Sequence, residues 1–417
     1  MNQSKVPEKK STAFLWGAST AAHQVEGNNH NSWSIWEPQN AHRLAKIASK
    51  HFAHLSSWEH IKEEAQDPNT YISGEGVDHL NRYPEDIEHM KEIGLNSYRF
   101  SIEWSRIEPQ DGVWDFAAVE HYRTKIRALK QAGIEPLVTL WHWTNPVWFE
   151  KQGGWEAVTA IFSFSRYVEF IAQELGEEIT YCMVLNEPLV YSIQSYLHGV
   201  FPPQKKNFFA YHHVINTLIV AQYRGYAIFK RIAPHAQVGT AVNLAYVLPL
   251  DTSLLTKTMV SALRLWDTRF LRLCLPVFDF IGVNYYFRTK IKGFQIHHSS
   301  RYQSDLGWGL HPNGIYHVLT YLKQFNKPII ISENGVADAK DTYRSWWLEE
   351  TINSIDKARQ EDVPVIGYMH WSLLDNFEWD KGYWPRFGLI HVDLQTKKRT
   401  IRPSAYIYQE YIRTLKW

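Results

Sequence analysis

The chain has 417 residues, 45% of them hydrophobic, which is ample for a large buried core. Lys and Arg total 44 against 43 Asp and Glu, so the net charge is +1, which argues against a nucleic-acid or membrane-surface partner held by bulk electrostatics. Two cysteines, Cys182 and Cys274, cannot build a disulfide framework, and Cys182 falls inside a predicted strand, where it reads as a buried thiol.

Strand and helix signals alternate along the chain. Phe14–Gly17 is a short apolar strand. Pro84 opens a helix that ends at Gly94, and Ser97–Ile102 is the next strand. Asp115 caps a helix with Val119, Tyr122, Ile126 and Leu129 on one face, stopped by Gly133. The strand Pro136–Leu140 follows, then a helical segment Ala157–Leu175 and the extended run Tyr181–Leu185. His212–Arg231 is a long helix and Val238–Val242 a strand. Phe278–Val283 is another apolar run. Gly314–Phe325 is helical, Pro328–Ile331 extended, Tyr343–Arg359 helical, Val363–Met369 extended, and Ser404–Leu415 a last helix. Eight strands separated by helices predict a parallel sheet closed into a barrel, an α/β fold of the (β/α)8 TIM-barrel type with long βα loops. The rival is an open doubly wound sheet, but no glycine-rich phosphate turn follows the first strand. No linker, composition shift or repeat marks a boundary, so residues 1–417 are expected to form a single domain. The segment Trp36–Gly76 reads as a long loop with a short helix near Trp58–Glu64.

Two carboxylates stand in similar surroundings. Glu187 lies in Val184-Leu185-Asn186-Glu187-Pro188 and Glu333 in Ile330-Ile331-Ser332-Glu333-Asn334-Gly335. Each follows a short apolar run and precedes a turn residue, so the two can converge on one cleft from the ends of different barrel strands. A carboxyl pair is what cleavage of a glycosidic bond requires, one group protonating the departing oxygen and one attacking or stabilising the sugar cation. The 18 tryptophans fit the same reading, since indole faces stack on sugar C–H surfaces, although core packing accounts for most of them. The 20 histidines raise the possibility of a metal, but His212-His213 face different sides of a helix and no His-Glu-x-x-His spacing occurs. Neither a metal nor a cofactor is expected. The polar stretch Met1–Lys10 lacks an apolar signal core and no apolar run is long enough to span a bilayer, so a soluble, cytoplasmic protein is expected.

Together the motifs resemble glycoside hydrolase family 1, the β-glucosidase and β-galactosidase family. The resemblance runs from Phe14 to about Tyr411 through Phe14-Leu15-Trp16-Gly17, Gln24-Val25-Glu26-Gly27, Tyr98-Arg99-Phe100-Ser101, Leu140-Trp141-His142-Trp143, Asn186-Glu187-Pro188, Asn284-Tyr285-Tyr286, Ser332-Glu333-Asn334-Gly335 and the segment Trp371 to Trp379. It implies a (β/α)8 barrel and retaining hydrolysis of β-linked glucosides or oligosaccharides, with Glu187 as acid/base and Glu333 as nucleophile. Retention requires the two carboxyls roughly 5 Å apart, Glu187 protonated and Glu333 ionised. By the same resemblance Arg99 and Tyr286 support the nucleophile. Asn186 binds the sugar 2-hydroxyl, Gln24, His142, Glu378 and Trp379 grip the other hydroxyls, and Trp371 forms the floor under the ring. Glu378 would repel a 6-phosphate, which points to unphosphorylated substrates. Transglycosylation through the same intermediate, or glycan binding without turnover, are the alternatives. Departures from the family pattern are Cys182 and Val184 before the acid motif, His370 before Trp371, and a shortened stretch Pro249–Asp279, which leaves the aglycone preference open.

Overall fold

The computed structural model describes residues 13–297, 300–415 and 417. The polar Met1–Lys10 stretch lies outside the described residues. Eight parallel strands close into a barrel: β1 (Leu15–Ser19), β2 (Ser97–Ser101), β3 (Glu135–Trp141), β4 (Tyr181–Asn186), β5 (Gln237–Asn243), β6 (Phe280–Tyr285), β7 (Ile329–Asn334) and β8 (Val365–Trp371). Neighbours in sequence are neighbours in the sheet, and β1 pairs with β8 to shut it. All eight strand predictions hold. The later strands run a few residues further than the apolar periodicity suggests, because their polar last residues still form ladder hydrogen bonds. Thus β7 extends through Glu333.

The barrel is packed on both sides. Inside, Leu137, Met183, Ala241, Phe280, Ile330 and Met369 form a closed apolar plug, as filled barrels of this size require. Outside, apolar faces of the helices cover the strands in one continuous core. Helix Phe116–Gln131 shows how sequence dictates this. The Asp115 carboxylate accepts the Ala118 amide at its N-terminus, and Val119, Tyr122, Ile126 and Leu129 recur on the buried face. Equivalent helices cover the other strands: His79–Ile93, Ala160–Leu175, Phe208–Ile232, Arg269–Cys274, Gly314–Leu322, Arg344–Gln360 and Pro403–Thr414. The last of these locks the seam: the Tyr408 hydroxyl donates to the carbonyls of Gly17 in β1 and Tyr368 in β8, and the Trp417 ring stacks on Trp16 at 4.7 Å.

Two expectations are corrected. The segment Trp36–Gly76 is not a loop: a 21-residue helix, Ser32–Phe52, occupies its first part, followed by a helix Trp58–Ala65 and a short 3-10 turn Pro68–Tyr71. Asn31 starts the long helix with a capping box. Its side-chain oxygen accepts the Trp33 and Ser34 amides, and the Ser34 hydroxyl accepts the Asn31 amide. Pro38 interrupts only the hydrogen bond that would reach the Ser34 carbonyl, while Trp33, Trp36, Ala41, Leu44, Ala45 and Ala48 keep a buried stripe. Second, Pro84 lies within its helix, which starts at His79. The His79 ring is held there by the Asp86 carboxylate at 2.7 Å, with both side chains buried.

The βα loops carry further structure at the C-terminal end of the barrel. A three-stranded sheet joins Tyr246–Pro249, Arg288–Lys292 and Gln295–His297, and a hairpin pairs Ile390–Val392 with Arg399–Ile401. Both cysteines are buried and unpaired. No described helix is long and apolar enough to cross a membrane.

Candidate active site

A cavity of about 420 Å3 opens at the C-terminal end of the barrel, the end where the βα loops of this fold gather functional groups. His142, Glu187, Tyr286, Glu333, Trp371, Glu378 and Trp379 line it. Arg99 and Asn186 lie buried against it, and Gln24 is buried behind Glu378, to whose Oε2 its amide donates at 3.5 Å. All ten residues singled out in the sequence therefore gather in one region.

Each carboxylate has a distinct set of partners. Arg99, in β2, spans the floor: Nη1 donates to Glu333 Oε1 at 2.5 Å, Nη2 to Asn186 Oδ1 at 2.7 Å, and Nε to Thr139 Oγ1 at 3.1 Å. The Tyr286 hydroxyl donates to the other oxygen of Glu333, Oε2, at 2.7 Å. Glu333 thus faces a guanidinium and a phenol. Glu187, just past β4, accepts only amides, from Asn284 at 2.6 Å and Asn243 at 3.0 Å. Ser332 fixes Asn284 in turn, its hydroxyl donating to Asn284 Oδ1 at 2.6 Å.

Four carboxyls, Glu187, Glu333, Glu378 and Asp380, line this cavity with Lys381, the Arg99 guanidinium lies against it, and the protonation pattern follows. Burial, then the negative charge of Glu333, raises the Glu187 pKa to about 8, against the pull of Asn284, Asn243 and Arg99. Burial and the charges of Glu333 and Asp380 lift Glu378 to about 8 as well. Burial also raises Glu333 above the ordinary carboxylate value, opposed by Arg99 and by the Tyr286 hydrogen bond.

His142 is fixed by tautomer logic. Asn186 gives its oxygen to Arg99, so its NH2 faces His142 Nε2 at 3.0 Å. Burial and the Arg99 charge hold the imidazole pKa well below its usual value. A neutral ring that accepts at Nε2 carries its proton on Nδ1, and this buried nitrogen has no hydrogen-bond partner. The ring stacks between Trp371, at 6.1 Å, and Trp379, at 5.9 Å. The Oε1 atom of Gln24 is likewise buried without a partner.

The backbone is unusual at the same place. Trp143, Glu187 and Trp379 have φ of +73°, +44° and +49°, left-handed values that bulky residues rarely adopt. Gly335 lies against β8 so closely that a Cβ would fall 1.7 Å from the Trp371 carbonyl oxygen. This contact sets the spacing between the strand bearing Glu333 and the indole of Trp371.

Some contributors have no strong sequence signal. Asn243 ends β5, where a polar residue after the apolar run Val238–Val242 was the only hint. Phe201, Leu306, Trp308 and Phe387 line the cavity from loops without a period to read. No group of three or more His, Cys, Asp or Glu among the described residues is placed to hold a metal ion.

The chain and its fold match known proteins. The model for glycosyl hydrolase family 1 covers residues 6–272 and 267–416. The chain is 32% identical over 456 residues to β-glucosidase A of Acetivibrio thermocellus, covering 96% of this chain and 97% of that protein. Among solved structures, the β-glycosidase of Pyrococcus horikoshii aligns with a TM-score of 0.84 at 31% identity over 96% of this chain and 94% of that one. The β-glucosidase of Thermotoga maritima in complex with glucoimidazole aligns at 0.83 and 27% identity over 96% and 98%. The chain belongs to glycosyl hydrolase family 1 and is a β-glycosidase that hydrolyses O-glycosyl bonds.

Proposed function

We propose that the protein is a retaining exo-β-glycosidase, with β-glucosides as its foremost substrates and β-galactosides or β-fucosides as further ones, all unphosphorylated. The observation that carries this reading is the asymmetry of the carboxyl pair: one faces a guanidinium and a phenol, the other only neutral amides, within one cavity. Of two carboxyls sharing a buried volume, the one without a cation keeps its proton longer. Glu187 is then the acid and Glu333 the nucleophile.

Double displacement follows. Glu333 attacks the anomeric carbon while Glu187 passes its proton to the departing glycosidic oxygen. Once Glu333 is esterified, its negative charge is gone. That charge raises the Glu187 pKa in the free enzyme, so the Glu187 pKa falls in the intermediate. Glu187 becomes a carboxylate at the step where a base must take a proton from water. Arg99 and Tyr286 hold the two oxygens of Glu333 and so fix which lone pair meets the sugar. The unpartnered polar atoms His142 Nδ1 and Gln24 Oε1, together with Glu378, offer hydrogen bonds to sugar hydroxyls. Trp371 and Trp379 supply the apolar surfaces. The β-glucosidase relatives support glucose as the first sugar to try.

The test is a panel of 4-nitrophenyl β-glycosides with the wild type, Glu333→Gln and Glu333→Ala. Glu333→Gln should lose at least about a thousandfold in kcat. Azide should restore turnover of Glu333→Ala and give the α-glycosyl azide. Wild-type-like turnover in Glu333→Gln would refute the assignment.

A further inference from the structure

The sugar-sized part of the cleft is closed, and its mouth is open and basic. His142, Trp371 and Trp379 at the bottom are buried, whereas Val200, Phe287, Leu306, Trp308 and Lys381 at the mouth are half-exposed. An exo-acting enzyme buries one sugar, so the leaving group lies toward that mouth. Two more cavities adjoin it. One, of about 430 Å3, shares Val200, Asp380 and Lys381 with the substrate cleft and adds Arg43, Lys206, His51 and His198. The other, of about 620 Å3, shares Phe287, Leu306 and Trp308 and adds Arg288, Lys290, His54 and His297.

The charge is one-sided. Asp380 is the sole carboxylate among the described residues lining these two side cavities, and it is paired with Lys381. Arg43 donates to the neutral Asn40 side-chain oxygen, at 2.8 Å, and Arg288 meets His311 Nδ1 at 3.3 Å. The field is felt nearby: burial, Arg288, His317 and Lys290 together push His311 down to about 4. A chain with a net charge of only +1 thus concentrates cations around the mouth of its cleft, next to an apolar wall of Phe287, Leu306 and Trp308.

We infer that the aglycone side of the cleft selects β-glycosides whose leaving group combines an aromatic or apolar body with an anionic substituent, a carboxylate, sulfate or phosphate. The apolar wall takes the body and the cations of the flanking cavities take the charge. This inference rests on the glycosidase reading above and adds the substrate class.

The probes are 4-(2-carboxyethyl)phenyl β-glucoside and its carboxamide, whose phenol leaving groups are nearly equal in acidity. At low salt the carboxylate should have about a tenfold higher kcat/KM, and the gap should shrink toward parity in about 0.5 M NaCl as screening sets in. Lys206→Glu combined with Arg288→Glu should reverse the preference. Lys206→Glu alone, at an exposed site, should reduce it and guards against misfolding of the double variant. Equal kcat/KM for the pair at low salt, or a ratio untouched by either variant, would overturn the inference while leaving the glycosidase assignment standing. If neither compound is hydrolysed, the assignment itself fails. Calorimetry with free 3-(4-hydroxyphenyl)propanoate and its amide then decides the anion site: about tenfold tighter binding of the acid supports it, and equal binding refutes it.

Discussion

Glu187 sets the pH behaviour of the site. Its pKa of about 8 lies above the ordinary glutamate value of 4.5, so the folded protein retains a proton that the unfolded chain releases between those limits. Where the native state binds more protons, stability falls as pH rises. The contribution of Glu187 is therefore fully present below about pH 4.5 and is lost as pH climbs through about 8. Glu187→Gln keeps an oxygen to accept from Asn284 and Asn243 and removes the ionisation. The variant should be more stable than wild type at pH 8 by on the order of 4 kcal/mol, with little difference at pH 4.5. Thermal melts at the two pH values check this. In the wild type, kcat/KM should fall above about pH 8 as the acid is lost. The two carboxyls were legible in the sequence because each follows an apolar strand with a stereotyped turn. Asn243 and Asn284, whose amides hold Glu187 in place, were less so. An asparagine at a strand end is a common turn residue, and only the three-dimensional arrangement shows its amide aimed at a carboxylate.

At the scale of elements, the helix Ser32–Phe52 connects the outer cleft to the buried polar network beneath it. Asn31 both caps this helix and donates to Glu103 at 3.2 Å, while its amide nitrogen lies 3.1 Å from His23 Nδ1. His23 also meets Glu37, one turn into the same helix, at 2.7 Å. Asn31→Ala should cost about 2 kcal/mol, the loss of an N-cap together with buried hydrogen bonds. Denaturant unfolding measures it, and a cost below a few tenths of a kcal/mol would show that the cap is dispensable. This helix escaped sequence reading for a physical reason. Pro38 is a breaker by local rules, and the mixed, polar composition around it hides the buried stripe. Tertiary packing of Trp33 against Trp36, Phe201 and Trp379 outweighs the lost hydrogen bond. The eight strands were read correctly because burial on both faces leaves them as continuous apolar runs. The outer-sheet strands Arg288–Lys292 and Gln295–His297 and the two hairpin strands carry no such run, and nothing in their composition separates them from loop.

The whole molecule is a ring, and its closure joins the two ends of the sequence. Leu15 pairs with Gly367, and Ser19 with Trp371. The Tyr408 hydroxyl then bridges both strands of the seam. Ring closure also assembles the cleft, since Gln24 bonds Asn376 and the Phe377 carbonyl across the same junction. During synthesis the first strand must wait, its edge unpaired on one side, until the last one leaves the ribosome. Nascent chains stalled with residues 365–417 still in the exit tunnel should be cut readily by protease and inactive toward aryl β-glycosides, and lengthening the tether until those residues emerge should restore both resistance and turnover together. The exposed edge of β1 over that interval is a surface a chaperone would be expected to cover, since an unpaired strand invites pairing with another chain.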